Sequence, residues 1–185
     1  MDMGVTWRLG IDAALGLANT IHGPGGHYRR RTRPGDPDHD HLATPAEARA
    51  FLGGHAVPVP ARAPTAAQLG RLRAIRASVR ALGDEPDIDL DAWRGPVEAA
   101  LTRVTFRIAA DHRLRSTARG WDGVADDLLP AALALAEVSG RLRSCANPRC
   151  RFRFIDRSRN GTRVWCEAAV CGNRVRVGRH RLADR

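Results

Sequence analysis

The sequence predicts an α+β chain: a mainly helical N-terminal domain with a small β-hairpin over residues 1–142, and a compact cysteine-bearing module over 143–185. Three observations predict it. Two helix starts carry reciprocal capping residues, an alternating stretch flanks a turn, and all four cysteines fall between Cys145 and Cys171. With 185 residues, 43% of them hydrophobic, the chain is long enough to bury a core without covalent help.

The helix starts are explicit. Thr44-Pro45-Ala46-Glu47 places a hydroxyl at the N-cap, Pro in the first turn and Glu at the third position, opening a short helix to about Leu52 that Gly53-Gly54 ends. Thr65-Ala66-Ala67-Gln68 repeats the device before Leu69, Leu72, Ile75, Val79 and Leu82, whose 3–4 spacing draws one apolar stripe as far as Gly83. Arg71, Arg73, Arg76 and Arg80 lie off that stripe and read as a solvated face. A further helix is expected from Gly123 or Pro130 to Leu142, and a shorter one over Leu90–Val104. Val104–Ile108 alternates and pairs with Leu114–Trp121 as the hairpin. Trp7–Ile11 suggests a strand and Leu15–Ile21 a helix, with Asn19 a polar amide in its apolar run. Residues 23–41, rich in Gly, Pro and Asp, read as a loop. Its His39 and His41, with His22 and His27 nearby, are expected to be solvated rather than an ordered metal site.

The charge is lopsided. Formal net charge is +10, and residues 141–185 hold thirteen Arg against Asp156, Glu167 and Asp184, which accounts for the whole surplus. Every cation is Arg, a planar and permanently charged fork suited to phosphate. Such asymmetry points to a polyanion partner, with a solvated basic tail as the alternative. The longest apolar stretch, around Leu128–Val138, is too short to span a bilayer, and the N-terminus shows no signal-peptide pattern, so a cytoplasmic location is expected.

The cysteines form two equally spaced pairs, Cys145-x4-Cys150 and Cys166-x4-Cys171, separated by fifteen residues. Zinc takes four soft ligands in a tetrahedron, and each short-spaced pair supplies one edge of it. Two disulfides or buried free thiols are the alternatives, and a cytoplasmic setting argues against disulfides. With four thiolates the site is closed, so Zn²⁺ holds structure and does not activate water. Phe152–Ile155 and Arg163–Trp165 flank the turn dipeptide Asn160-Gly161 and read as a hairpin. A helical pattern follows Cys171, with Arg176, Arg179 and His180 on one stripe and Arg174 and Arg181 on another. A knuckle, a hairpin and a helix bearing the last ligand make a treble-clef-like plan.

The run Phe154-Ile155-Asp156-x-Ser158-Arg159-Asn160, then Arg163-x-Trp165-Cys166 and Cys171-Gly172-Asn173-Arg174, resembles the CGNR zinc-finger family. Ile11-Asp12, Leu17-Ala18-Asn19-Thr20 and Leu42-Ala43-Thr44-Pro45 are similar to the ABATE domain that accompanies it. The resemblance implies a stress-induced transcription regulator, with a finger that binds DNA and an N-terminal domain that senses a small-molecule ligand. On this reading Arg159, Arg163, Arg174, Arg176, Arg179 and Arg181 contact double-stranded DNA, and Asn160 and Asn173 orient the turn and cap the helix. Asn19 either lines a ligand pocket or is a satisfied structural amide. A homodimer would match paired half-sites. The runner-up is a zinc-stabilised module for protein or RNA contact, although Phe152, Phe154 and Trp165 read as core and give RNA bases little to stack on. The sequence carries no nucleophile elbow, phosphate loop or open metal triad, so no enzyme is expected.

Overall fold

In the computed structural model, residues 10–24, 37–54, 59–84, 88–110 and 114–183 are described. Helix α1 (Ile11–Ala18) leads into strand β1 (Ile21–His22), which pairs antiparallel with β2 (His39–Asp40). Helices α2 (Pro45–Gly54), α3 (Ala66–Asp84) and α4 (Leu90–Leu101) follow. Then come the hairpin strands β3 (Phe106–Ile108) and β4 (Leu114–Ser116), and helix α5 (Gly120–Glu137). A 3₁₀ turn at Ser139–Arg141 enters β5 (Leu142–Ser144), which pairs antiparallel with β6 (Arg153–Ile155). A π-helical turn at Ala168–Gly172 delivers the last helix, α6 (Asn173–Ala183).

Both N-terminal caps form, that of α3 as a full capping box. The amide of Glu47 donates to Thr44 Oγ1 at 3.2 Å and the Thr44 hydroxyl donates to Glu47 at 3.0 Å. At α3, Gln68 N–H reaches Thr65 Oγ1 at 3.3 Å and Gln68 Oε1 accepts from the Thr65 amide at 3.0 Å. The five apolar residues of the α3 stripe are all buried. They pack with Leu17 of α1 and with Leu128, Leu129 and Leu135 of α5. Ala13, Ala14 and Ala18 face Ala131, Ala132 and Ala136 within the same core, and these small side chains let the helix backbones approach closely.

Several elements depart from expectation. Helix α1 starts at Ile11 and ends at Ala18, so Asn19 is its C-cap rather than a mid-helix residue. Residues 7–9 of the expected first strand lie outside the described residues. The expected loop 23–41 contains β2, and its residues 25–36, His27 among them, also lie outside them. His22 is buried and His39 and His41 are half-buried, contrary to the expectation of solvated histidines. Helix α5 begins at Gly120 and carries Pro130 within it; it stops at Glu137, and Leu142 belongs to β5. In the cysteine module the hairpin is made by β5 and β6, and residues 163–165 form no strand. The knuckle between β5 and β6 is the tighter closure, so the segment after Asn160-Gly161 crosses instead, with Ala146 N–H bonded to Val164 O at 2.8 Å.

The α3 arginines are not a solvated face. Arg76 is 8% exposed and its guanidinium pairs with Asp40 through both Nη atoms, Nη2 to Oδ2 at 2.8 Å, while Nη1 also donates to Thr20. Arg73 donates to the carbonyls of Leu42 and Ala43, Arg80 to those of Ala18 and Ile21, and Arg71 pairs with buried Asp126. Arg73, Arg76 and Arg80 fasten the segments around β1 and β2 to α3 and Arg71 ties α3 to α5, work that a period-based reading assigns to solvent because long charged stems snorkel from a helix flank.

Burial alone would raise the Asp40 carboxyl, but hydrogen bonds from Arg76 and from the Leu42 amide outweigh it and hold it below the usual carboxylate range. A carboxyl lowered on folding contributes stability above its unfolded value, near pH 4, and that contribution is lost as pH falls through the folded one. Arg76→Met is expected to cost about 2–4 kcal/mol in urea unfolding at neutral pH, because Asp40 and Thr20 lose their donor. Asp40→Asn should in addition flatten the stability loss between pH 5 and pH 3; an unaltered acid profile would disprove the linkage.

Candidate metal centre and basic helix

The cysteine site is built from three local structures. β5 brings the chain to Cys145, and the knuckle turns there: Asn147 Oδ1 accepts from Arg149 N at 3.1 Å, and Cys150 N donates to Asn147 O at 2.8 Å. Arg151 leaves the knuckle at φ 58°, a left-handed conformation that lets β6 return beside β5, with Cys145 N bonded to Phe152 O at 2.8 Å. The second pair comes from the π turn, where Cys171 N donates to Glu167 O at 2.8 Å and places Cys171 at the start of α6.

The four Sγ atoms all lie within 4.8 Å of one another, with Cys150–Cys166 at 3.6 Å and Cys166–Cys171 at 3.7 Å. A tetrahedral ion with bonds of about 2.3 Å separates its ligands by about 3.8 Å, whereas a disulfide requires about 2.05 Å. The sulfurs therefore stand at the edges of a metal tetrahedron, and all four cysteines are free thiols. Hydrogen bonds from the Cys150 and Cys166 thiols pull Cys145 down to about 2. The same sharing, with Cys145 acting as the acceptor, pushes Cys150 up to about 12 and Cys166 upward too. A bound cation takes its cysteine ligands as thiolates, so metal binding and their deprotonation go together. Backbone amides help: Cys166 and Asn147 donate to Cys145 Sγ, and Phe152 to Cys150 Sγ. The donor set fits zinc, which Cys145, Cys150, Cys166 and Cys171 would hold.

The rest of the finger is braced around this centre. Phe152 and Phe154 are buried with Cys145, Cys150 and Cys171, and Trp165 packs beside them. Trp165 packs against Gly172, where an added Cβ would come 3.1 Å from the indole ring, so a larger residue after the last ligand would push the indole aside. Asp156, 1% exposed, accepts from the Ser158 amide and hydroxyl and from the Arg163 amide, and the Ser158 hydroxyl foremost lowers its carboxyl. Arg163 donates to the carbonyls of Trp165 and Cys166 and lies over the Phe154 ring at 4.9 Å. The structure thus gives Arg163 a bracing role inside the finger. Arg159, Arg174, Arg176, Arg179 and Arg181 are exposed, the last four on α6.

The finger is docked onto the helical part. Asn19 donates from Nδ2 to Arg153 O at 3.0 Å and accepts from Arg153 N at 2.7 Å. Its amide is committed to the backbone of β6, which replaces the expected ligand-lining role by a structural joint. Gly23 N donates to Cys150 O at 2.8 Å, and a Cβ on Gly23 would fall 2.6 Å from Arg149 O, so only glycine permits this approach to the knuckle. Arg151 pairs with Asp38 at 2.5 Å. Leu142 and Ile155, partners across β5 and β6, belong to the core of the helical part, while Phe154 belongs to that of the finger. Gly23 and the bracing roles of Asp156 and Arg163 were not read from sequence. The Asp-x-Ser spacing at 156–158 is a turn signature that could have flagged that of Asp156.

A four-thiolate treble-clef-like finger joined to a helical domain defines the class: a structural-zinc protein with a strongly basic terminal helix. A family model described as "Putative stress-induced transcription regulator" (ABATE) matches residues 12–141, and one described as "CGNR zinc finger" matches residues 141–183. The chain belongs to the ABATE family and carries a CGNR zinc finger at its C-terminal side. A search of curated proteins gives no match. Among the described residues, no helix is long and apolar enough to cross a membrane.

Metal analysis of purified protein is expected to give one zinc tied to the cysteines, lost on Cys150→Ser or Cys171→Ser. Mapped Cys–Cys bonds in freshly reduced-and-reconstituted protein would contradict the site. Asn19→Ala should cost about 1–3 kcal/mol, since it leaves the Arg153 peptide without its partner. Hydrogen exchange should show the Arg153 amide deprotected while α3 and α5 stay protected.

Proposed function

We propose that the chain is a DNA-binding transcription regulator whose α6 is the nucleic-acid contact. The observation that carries the reading is the display on that helix: Arg176, Arg179 and Arg181 are exposed and make no ion pair among the described residues. Arg159, on the 158–161 turn, and Arg174, on α6, are exposed cations as well. The family description as a transcription regulator supports the same reading.

The electrostatics survive correction for the metal. Four thiolates with Zn²⁺ carry a net charge of −2, so the metallated finger keeps a net charge of about +8. An α-helix fits the major groove, about 12 Å wide, where Arg reaches phosphates from its flanks and guanine O6 and N7 from its face. The zinc centre fixes the start of α6 and so its angle to the rest of the finger, which makes the metal an organiser of the contact. Because four sulfurs fill the coordination sphere, no position is left for a substrate or water, and we read the protein as a binding protein rather than an enzyme.

For the full zinc-loaded chain, neutralising about four to five phosphates should give a slope of log affinity against log salt near −3.6 to −4.5. Arg176→Ala and Arg179→Ala should each flatten it by about one unit if the contact is to phosphate. Arg71→Ala, which removes the pair with Asp126 far along the chain, should leave the slope unchanged. Binding to duplex DNA that is absent at low salt, with Arg176 and Arg179 instead needed to capture an acidic protein, would replace this reading with a protein-partner one.

A further inference from the structure

Helix α6 has an outward stripe that no arginine occupies. Among its described side chains Val175 alone is half-buried, and it marks the covered side of the helix. With about 100° between successive residues, Asn173 and Val177 both stand about 160° round the axis from Val175. His180 falls on the same stripe one turn further on. Arg176 lies on one flank of the stripe, and Arg174 and Arg181 lie on the other.

Neither Asn173 nor Val177 is used by the fold. The expected capping role of Asn173 needs extended backbone, whereas its φ of −64° and ψ of −43° are helical and place it inside the helix. Its carboxamide is exposed and makes no hydrogen bond among the described residues. Val177 is 41% exposed and belongs to neither hydrophobic core. Both residue types favour a helix less than arginine does, so local helix stability does not call for them.

The pair has a chemical counterpart on a duplex. In the major groove an adenine offers N7 as acceptor and N6–H as donor, and a thymine offers its 5-methyl group. One carboxamide can donate to N7 and accept from N6 at once, which a guanidinium, having donors only, cannot do. An isopropyl group gains only by covering apolar surface, and the thymine methyl supplies it. Residues four apart on a helix are about 6 Å apart along its axis. With base pairs about 3.4 Å apart, that spans about two steps, so neighbouring pairs fall to the two side chains. The flanking arginines then meet the phosphates that border the groove.

We infer that Asn173 and Val177 are the base-reading residues of α6, Asn173 for N6 and N7 of an adenine and Val177 for the methyl group of a thymine in duplex DNA. The inference rests on the DNA-binding reading of α6 and adds to it a preference for A·T pairs at the centre of the contact. Arginines on the flanks supply affinity and salt dependence, and the stripe between them supplies sequence preference. Double-stranded RNA does not offer the same contact: its major groove is deep and narrow, and uracil has no methyl group.

The test is selection of duplexes from a random DNA pool by the full zinc-loaded chain. Affinities are then measured on the selected duplex with each thymine in turn replaced by uracil, which removes only the methyl group. The expected result is a preferred site with one thymine whose replacement weakens binding about fourfold, as for burying one methyl group. Val177→Ala should remove that sensitivity. Asn173→Ala should weaken binding about 5- to 150-fold and relax the preference for one adenine. Neither loss should flatten the salt slope, since no phosphate contact goes with it. The uracil scan uses the wild-type chain and so decides the matter even if a variant fails to fold. Salt-dependent duplex binding with no response to uracil and no adenine preference overturns the inference and leaves the DNA reading standing. No duplex binding at low salt overturns both.

Discussion

Four sulfurs drawn within 4.8 Å of one another cannot all be thiolates without a cation among them, and most of what surrounds them depends on that. Ionising the set in a buried pocket costs far more than the few apolar side chains of the finger return, since its core is little more than Phe152, Phe154 and the cysteines themselves. The metal therefore sets the angle between the β5–β6 knuckle and α6, and the amides of Asn147, Phe152 and Cys166 give the sulfurs their secondary support. Asp156 and Arg163 then shape the crossing segment. A basic helix of eleven residues with Gly178 inside it is a poor helix by itself, and here the π turn that leads into it carries the ligand Cys171, two residues before its start.

The absence of lysine has a structural side. Arg73 reaches the carbonyls of Leu42 and Ala43, Arg80 those of Ala18 and Ile21, and Arg163 those of Trp165 and Cys166. In each case one fork gathers two carbonyls at a chain reversal, which a single ammonium would do less well. Arg153 is the extreme: buried at 4% exposure and lowered to about 10 by desolvation and by Arg80, it is still charged at neutral pH and donates to Ser144. Arginine in this chain is both the surplus charge of the finger and the fastening of the helical part, and a charge count cannot separate the two uses.

That distinction marks where the sequence was legible. Periodicity located α3 and its five buried residues, and capping chemistry located the starts of α2 and α3, because both signals are local. Cysteine spacing identified the metal ligands for the same reason: each pair is a property of six consecutive residues. What escaped was long-range. Asn19 and Arg153 are 134 residues apart, and Gly23 and Cys150 are 127 apart. No local pattern says that the end of α1 will meet β6, or that His22 will lie beside His41. The finger hairpin failed for a subtler reason: Asn160-Gly161 does turn, with Gly161 at φ 65°, but β6 had already found its partner in β5 across the knuckle.

The joint at Asn19 bears on more than docking. In the β5–β6 pair, Phe152 and Asp156 bond across to Cys145 and Arg141, so the peptide groups of Arg153 point the other way, along an open edge. The Asn19 carboxamide meets both of them, donor to acceptor and acceptor to donor, as a neighbouring strand would. A single side chain at a helix end thus imitates one rung of a β-ladder and stops the sheet there. An exposed rung on a short, apolar ribbon is a template on which another copy of the chain could add its own strand. An amide from the same molecule fills that rung, so the edge at Arg153 has no unpaired peptide group to offer.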